Sequence, residues 1–360
     1  MKKIFLSILL IALCMPIMAK KNNDNRVVMI MVDGLRWQEL FAGADSANLN
    51  NKRFVSDIPA NQKLFWRNTP EERRKALFPF IWGEVSKMGV LYGNRLKGSM
   101  MNVANGMHFS YPGYNETTTG YPDDKNINSN DAFPNPNISI LEAANNDPRY
   151  QGKVMVFGSW DRFHDIFNQE RSKLPVNAGW DTSKNPNETA AEKNYDEIEK
   201  DLPRLWGEVR YDVFSFEYAL EAMKSCHPIL TFVGFGETDD FAHMGKYGHY
   251  LDSANRFDRL MKALWEYTQS DPFYKGKTTF IVTCDHGRGN TENGWKDHGS
   301  KIPGADQTWF IAFGNQVKDK GEVAGGTQLY NKQVAFTVAK LLDIDFKNTE
   351  GNKEEPIDLK

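Results

Sequence analysis

Three continuous apolar segments each lead directly into residues that commonly bind metals, and this feature constrains the fold more than any other. RVVMIMV precedes Asp33, ILTFVGF precedes the pair Asp239 and His243, and TTFIVTC precedes Asp285 and His286. Continuous apolar runs of this length are typical of strands buried on both faces. Open α/β sheets bind their ligands at the carboxyl ends of parallel strands. The sequence therefore predicts a polar site at one edge of such a sheet.

The alternation of strand-like and helix-like segments predicts an α/β fold. Runs rich in Val, Ile, Phe and Thr predict strands over residues 26–32, 153–157, 228–235, 278–284 and 308–313. Helical spacing of apolar residues predicts helices over 211–224, 249–268 and 332–342. Strands that alternate with helices indicate a mostly parallel sheet covered on both sides.

The chain reads as one domain, residues 20–360, because no clean linker divides it. Two segments look irregular and polar, 42–76 and 165–205. The second contains three prolines and is interpreted as a cap-like insertion that lies over the active-site end of the sheet. A surface excursion with no role in the site is an equal alternative.

Residues 1–19 differ from the rest of the sequence. Two lysines precede a short apolar run, and the small residue Ala19 follows it, as in a secretory signal peptide. We therefore expect an exported, periplasmic protein with no transmembrane segment after cleavage. A membrane anchor is the alternative. Cys14 also allows a lipoprotein signal, which the bulky Leu13 before it disfavours.

Composition excludes several classes of protein. A net charge of −3 gives no evidence of a nucleic-acid-binding surface, which requires clustered basic residues. After signal cleavage only Cys226 and Cys284 remain, too few for a disulfide framework. The expected partner is a small molecule, and the oligomeric state stays open.

The candidate ligands are carboxylates and imidazoles at informative spacings. Asp239 and His243 are four residues apart, so both can face one point on a helical turn. Asp285 and His286 are adjacent and converge only if the strand ends there. A further candidate, His298, lies in a second Asp-His-Gly sequence. Mixed carboxylate and imidazole ligands suit zinc or manganese better than calcium, and more than four ligands suggest two metals.

A covalent mechanism would also need a nucleophile, and residues 106–124 are rich in hydroxyl groups. Pro112 and Gly113 follow Ser110 closely, which predicts a sharp turn that presents Ser110 at the start of a helix. Helix N-termini favour anions, and a serine hydroxyl needs a base or a metal to become reactive. The alternative is a polar loop without catalytic function.

These motifs together resemble the alkaline phosphatase superfamily, most closely its nucleotide pyrophosphatase/phosphodiesterase branch. The nucleophile motif of that branch, Thr-Phe-Pro-Asn-His, corresponds to Ser110-Tyr111-Pro112-Gly113-Tyr114, where Ser replaces the usual Thr and Gly113-Tyr114 replace Asn-His. Thr119-Gly120 and Tyr121-Pro122 follow at the expected spacing. The other matches are Asp33-Gly34, the pair Asp239 and His243, Asp285-His286-Gly287 and His298-Gly299. The resemblance covers residues 26–314, and it implies a three-layer α/β/α sandwich.

The resemblance also implies a metal assignment and an activity. One zinc ion would be held by Asp239, His243 and His298, and a second by Asp33, Asp285 and His286. Ser110 would bind the second ion and act as the nucleophile. The implied activity is hydrolysis of phosphate esters through a covalent phosphoserine, with phosphodiesterase-like or broad specificity. A phosphomonoesterase, a phosphotransferase or mutase of the same superfamily, and an inactive metal-binding protein are the alternatives.

Substrate contacts are less constrained by the sequence. The resemblance places a phosphoryl contact at Asn130, although Asn128 is close enough to be confused with it. Arg162 is a candidate anchor for a terminal phosphate, or else a surface arginine. The aromatic residues Tyr111, Tyr114 and Trp160 are candidates for a slot that holds the second substituent of a diester. No Cys-x-Pro-x-Arg sequence is present, which argues against a formylglycine sulfatase.

Overall fold

The computed structural model describes residues 24–360. The expected signal peptide, residues 1–19, and Cys14 lie outside the described range. Within that range, no helix has both the length and the apolar character needed to cross a membrane.

A mostly parallel sheet forms the centre of the fold and contains eight of the ten strands of the described residues. The ten strands are β1 Arg26–Val32, β2 Gly89–Tyr92, β3 Met101–Asn102, β4 Val154–Gly158, β5 Val176–Ala178, β6 Leu230–Phe235, β7 Thr278–Thr283, β8 Phe310–Gly314, β9 Gly321–Glu322 and β10 Leu329–Tyr330. The order in the sheet is β5-β4-β6-β1-β7-β8-β2-β9, and β3 pairs with β10 separately. Only β8 runs antiparallel to its neighbours β7 and β2. Each of the five strands predicted from apolar runs is present.

Strand β1 shows why these runs are continuously apolar. Val28, Ile30 and Val32 pack into one hydrophobic core, while Met29 and Met31 pack into a second core on the opposite face. Successive side chains of a strand point to opposite faces. A strand with helices on both sides therefore has no position for a polar residue.

Helices cover both faces of the sheet. They are α1 Trp37–Ala42, α2 Ser46–Leu49, α3 Ile58–Phe65, α4 Pro70–Leu77, α5 Ser86–Met88, α6 Ser110–Thr119, α7 Ile140–Asn146, α8 Phe163–Ile166, α9 Gln169–Ser172, α10 Ala190–Asp201, α11 Asp212–Cys226, α12 Glu237–His243, α13 Tyr247–Ser270 and α14 Gln333–Leu342. Buried residues of α11 and α13 belong to the first core, and those of α6, α7 and α14 belong to the second. The predicted three-layer α/β/α arrangement is confirmed.

The two polar segments contain more regular structure than their composition suggests. Segment 42–76 contains α2, α3 and most of α4. In segment 165–205, Val176–Ala178 form the edge strand β5, parallel to β4, and α10 packs against α11. Within the segment predicted to be a cap-like insertion, the three residues of β5 therefore belong to the central sheet. The sequence missed this strand because it has only three residues.

The sheet order brings the predicted ligands to one place. Strands β6, β1 and β7 are neighbours at the centre of the sheet and run parallel. Asp33 follows β1 directly, α12 begins just after β6, and Asp285 follows β7. The three polar chain segments therefore emerge side by side at the carboxyl edge.

Candidate active site

A compact group of buried ligand atoms lies where β1 and β7 end. Nε2 of His286 is 3.2 Å from Oδ1 of Asp33 and 3.4 Å from Oδ2 of Asp285. All three side chains are buried, and their ligand atoms lie within 4.8 Å of one another. Gly287 lets the backbone next to His286 pack closely against a neighbouring segment, since a Cβ on that glycine would be 2.3 Å from the carbonyl oxygen of Gln307.

A second group lies beside the first and is built on α12. Nε2 of His243 is 3.0 Å from Oδ2 of Asp239 and 2.9 Å from Nε2 of His298. His298 Nε2 is in turn 3.6 Å from Oδ1 of Asp239. As predicted from their four-residue spacing, the side chains of Asp239 and His243 face the same point from one helical turn. His286 lies 3.7 Å from Asp239, so its imidazole adjoins both groups.

The first group concentrates negative charge in a buried place. Burial and the neighbouring Asp239 carboxylate raise the pKa of Asp33, and burial and Asp33 raise the pKa of Asp285 well above its ordinary value. Burial lowers the pKa of His286, but the Asp285 and Asp33 carboxylates outweigh it and raise this pKa to about 9. Carboxylates in such a site need a cation to stay ionised.

The second group contains its own cation, Arg288. Burial raises the pKa of Asp239, but Arg288 and His243 outweigh it and hold that pKa well below the ordinary range. Burial and the nearby His286 hold the pKa of His298 well below its ordinary value. Neutral imidazole is the form that binds metals.

The residues present fit two divalent metal ions. Oδ1 of Asp285 accepts the N–H of Gly34 at 3.1 Å, while the buried Oδ2 has no hydrogen-bond partner among the described residues. A carboxylate oxygen left without a partner at a cluster of imidazoles is a ready metal ligand. Nδ1 of His286 donates to the carbonyl of Gly287 at 2.8 Å, and Nδ1 of His298 lies 3.3 Å from the carbonyl of His108. Such bonds leave Nε2 free to coordinate.

Ser110 is the first residue of α6, as predicted, and lies against the first group. Its Oγ is 3.3 Å from Oδ1 of Asp33 and 3.4 Å from Nε2 of His286. The residue before it, Phe109, provides no side-chain cap for the helix. In the first turn the N–H of Tyr111 donates to Oδ1 of Asn130, and the positive end of the helix dipole favours an anion beside Ser110.

Gly113 explains how α6 approaches the ligands so closely. A Cβ at this position would be 2.2 Å from the backbone oxygen of Asp285. Glu116 on the same helix fixes the preceding loop, because its buried carboxylate accepts the N–H groups of Ala104, Asn105 and Lys332 at 2.8–3.0 Å. The helix that carries Ser110 is thus held in place by the close packing of Gly113 and by the hydrogen bonds of Glu116.

A cavity of about 490 Å³ opens above the ligands. Its lining combines site residues with an aromatic and acidic wall: Asp33, Ser110, Asn130, Trp160, Trp206, Gly207, Glu208, Val209, Gly236, Asp239, Asp240, His243 and His298. None of these residues is a lysine or arginine. Ser110 and ligands from both groups therefore face one solvent-accessible space.

The predicted substrate residues divide between those inside and those outside the cavity. Asn130 lines it, and its Oδ1 accepts the N–H of Tyr111 at 2.9 Å. Asn128 does not line it, and its Nδ2 donates to the carbonyl of Lys125. Arg162 lies at its border, where it donates to Asp161 at 2.7 Å and to Glu208 at 3.1 Å.

Tyr111 and Tyr114 do not form a substrate slot, contrary to the prediction that Tyr111 contacts the substrate. Both rings are buried. The Tyr111 ring stacks on Phe133 at 4.9 Å, and its hydroxyl donates to the Phe133 carbonyl at 2.7 Å. Trp160, the third aromatic candidate, does line the cavity.

Sequence reasoning missed three parts of the site. Arg288 contacts Asp239, and its only sequence signal is its position two residues after His286. Asp240 lines the cavity, and burial together with the Asp239 and Asp33 carboxylates raises its pKa to about 9. The wall segment 206–209 follows a polar stretch, where a tryptophan beside a glycine was the only available signal.

Comparison with solved structures supports the fold. Alkaline phosphatase PafA superposes with a TM-score of 0.59 at 10% identity, covering 92% of this chain and 98% of PafA. A 2-O GAG sulfatase gives 0.54 at 11% identity, covering 92% and 73%. The lipoteichoic acid synthase LtaP from Listeria monocytogenes gives 0.54 at 11% identity, covering 90% and 73%. No protein-family model matches the sequence, and no curated protein matches it. The chain therefore shares the fold of these three proteins.

Proposed function

We propose that this protein is a phosphodiesterase that uses two zinc ions and a covalent phosphoserine, similar to the nucleotide pyrophosphatase/phosphodiesterase branch. The observation that carries the proposal is the Ser110 hydroxyl, 3.3 Å from Asp33 and 3.4 Å from His286 at the start of α6. Asp33, Asp285 and His286 would hold one ion. Asp239, His243 and His298 would hold the other, and manganese has the same ligand preference.

When bound, the metals would supply positive charge that stabilises the transition state and lowers the pKa of the attacking hydroxyl. Ser110 loses its proton to solvent and its Oγ forms a bond to phosphorus while the bond from phosphorus to the leaving oxygen breaks; that oxygen takes a proton from solvent and departs as the alcohol. Water then forms a new bond to phosphorus, the Oγ–P bond breaks, and a phosphate monoester is released. Asn130 presents its amide N–H₂ to a phosphoryl oxygen, since Tyr111 already occupies its Oδ1.

The charge of the cavity favours a diester over a monoester. A monoester brings a dianion, and recognising its extra charge requires a basic side chain beyond the metals. The cavity lining contains no lysine or arginine. Arg162 is paired with Asp161 and Glu208 at 2.7 and 3.1 Å. A diester carries only one negative charge and therefore does not need this additional basic side chain.

The test compares two chromogenic substrates, 4-nitrophenyl phosphate and bis(4-nitrophenyl) phosphate, with protein of measured metal content. We expect about two zinc ions per chain and a higher kcat/KM for the diester. Arg162→Ala should keep the preference for the diester. A preference for the monoester that disappears in Arg162→Ala would make the protein a phosphomonoesterase with Arg162 as the phosphate anchor. Activity without bound metal would contradict the whole proposal.

We also propose that the chain is exported to the periplasm after cleavage behind Ala19. The support is the basic start and short apolar run of residues 1–19. Mass spectrometry of the protein purified from its own cells should show an N-terminus at Lys20. Retention of the first residues, or a lipid on Cys14, would contradict cleavage at this position.

A further inference from the structure

One wall of the cavity is built from residues outside both ligand groups. Trp160, Trp206, Glu208 and Val209 form it, and Trp160 and Val209 are joined by an isolated antiparallel bridge. The Trp206 indole packs edge-to-face on Phe241 of α12, with ring centroids 4.9 Å apart. The wall is thus attached to the helix that carries the second ligand group. Its position relative to Ser110 and the ligands is therefore fixed.

The charge at this wall is negative. The Glu208 side chain is 59% exposed and shares the Arg162 guanidinium with Asp161. Two carboxylates around one guanidinium leave a net negative charge. No basic residue of the lining compensates it. A substituent with a phosphate or carboxylate of its own would be repelled here.

We propose that this wall binds a positively charged substituent of the substrate, of the quaternary ammonium class, on the side of phosphorus that stays attached to Ser110. The inference rests on the proposed phosphodiesterase function and specifies its substrate class. Indole rings attract cations through their faces more strongly than other aromatic rings do. A nucleobase or a sugar can also stack on Trp160 or Trp206, but neither gains from the charge of Glu208. A cation is attracted both by the indole rings and by the Glu208 carboxylate.

A matched pair of diesters tests the charge itself. In 4-nitrophenyl phosphocholine the substituent ends in trimethylammonium, and in 4-nitrophenyl 3,3-dimethylbutyl phosphate it ends in an uncharged group of the same shape. Both release nitrophenolate, so the chemical step is the same. We expect kcat/KM to be about tenfold higher for the choline ester, equivalent to about 1.4 kcal/mol. The 4-nitrophenyl ester of thymidine 5′-phosphate serves as the nucleoside competitor.

Substitutions in the wall test which residues cause the preference for the choline ester. Trp206→Leu and Glu208→Gln should each bring the choline-to-isostere ratio close to one, mainly through KM. Trp160→Leu provides a second indole variant if Trp206→Leu does not fold. Glu197→Gln is the matched control, since Glu197 is exposed on α10 and pairs with Lys200; it should keep the wild-type ratio.

The outcomes separate this inference from the function on which it rests. A ratio of one in the wild-type protein, or a higher kcat/KM for the thymidine ester, would overturn the cation assignment and leave the phosphodiesterase intact. A ratio that survives in both Trp206→Leu and Glu208→Gln would also overturn it. Failure to hydrolyse all three esters and methyl 4-nitrophenyl phosphate, in protein that contains metal, would overturn both.

Discussion

The guanidinium of Arg288 donates a hydrogen bond to Oδ1 of Asp239, a ligand candidate of the second group. Arg288 is fully buried and is held by the carbonyls of Trp295 and Lys296. This places a permanent positive charge directly beside the second ligand group. The first group, with Asp33, Asp285 and His286, has two carboxylates and no arginine or lysine paired with them among the described residues. The two candidate metal sites therefore differ in charge as well as in ligands.

We predict that Arg288→Met tightens zinc binding at the Asp239 group by at least about tenfold. At an effective dielectric constant of about 20, a unit charge and a dication about 5 Å apart repel by roughly 7 kcal/mol. Loss of ligand orientation weakens binding only about 10- to 100-fold, so the charge effect dominates. Competition titrations with a chromogenic chelator would measure both affinities.

Arg288→Lys is the matched control for this prediction because it keeps the charge and changes the geometry. Its zinc affinity at the Asp239 group should stay at or below the wild-type value. If Arg288→Met bound zinc more weakly than Arg288→Lys, Arg288 would act by orienting Asp239, and the electrostatic explanation would be wrong.

We predict that Ser110→Ala lowers turnover of bis(4-nitrophenyl) phosphate by roughly 10³-fold or more, because the covalent route is lost. The metal content should remain near the wild-type value, since the other ligands are intact. Rapid acid quench of the wild-type protein with substrate should trap a phosphorylated peptide that contains Ser110. A wild-type burst with phosphate on another residue, or full activity in Ser110→Ala, would exclude Ser110 as the nucleophile.

The sheet was predictable from the sequence because burial on both faces leaves a continuous apolar run. Each of the predicted strands lies within one or two residues of its observed bounds. The short edge strand β5 was not predictable, since three residues carry no periodicity. Helix α4 was missed for a different reason: Thr69 and Glu72 form a capping box at its start, but the helix is so polar that its apolar spacing gives no signal.

Five of the six candidate ligands could be proposed from the sequence because they follow a strand or lie at a helical spacing, whereas His298 was proposed from its Asp-His-Gly sequence. The environment of the site was not predictable in the same way. Arg288 lies two residues after His286, but only the folded chain shows that its guanidinium turns toward Asp239. The cavity wall at Trp206 and Glu208 depends on how the chain returns to Trp160, a contact between distant segments. Sequence patterns record local periodicity and do not record such contacts.

We predict that Gly113→Ala displaces α6 from the first ligand group. The added Cβ would be 2.2 Å from the backbone oxygen of Asp285, which cannot move without shifting its side chain. Overpacking of this kind costs about 1–3 kcal/mol. We expect a lower melting temperature and weaker zinc binding at the group of Asp33, Asp285 and His286.

Gly83→Ala is the matched control for Gly113→Ala, because no atom lies within 4 Å of a Cβ placed at that helical glycine. It should leave zinc binding unchanged and keep or slightly raise the stability. Equal effects of the two substitutions would show that the approach of Gly113 to Asp285 has no special importance.

We predict that Asp258 makes the protein less stable as the pH rises. This buried carboxyl of α13 accepts the N–H groups of Phe80 and Ile81 at 2.7 and 2.9 Å, and burial raises its pKa to about 7. The ordinary value is 3.8, so between these pH values the folded state binds the proton more tightly than the unfolded chain. Its contribution is fully present below about pH 4 and is lost as the pH rises through about 7, by up to about 1.4 kcal/mol per pH unit.

The comparison of wild-type and Asp258→Asn proteins isolates this group, since the other titrating residues are common to both. Asparagine does not ionise but accepts with one oxygen only, so the variant should be less stable at pH 5. The difference in the free energy of unfolding should then shrink between pH 5 and pH 8. Urea unfolding at constant free zinc measures it, with Asp201→Asn on the exposed end of α10 as the control. A difference that stays constant, or grows with pH, would mean that Asp258 is already ionised in the folded protein at pH 5.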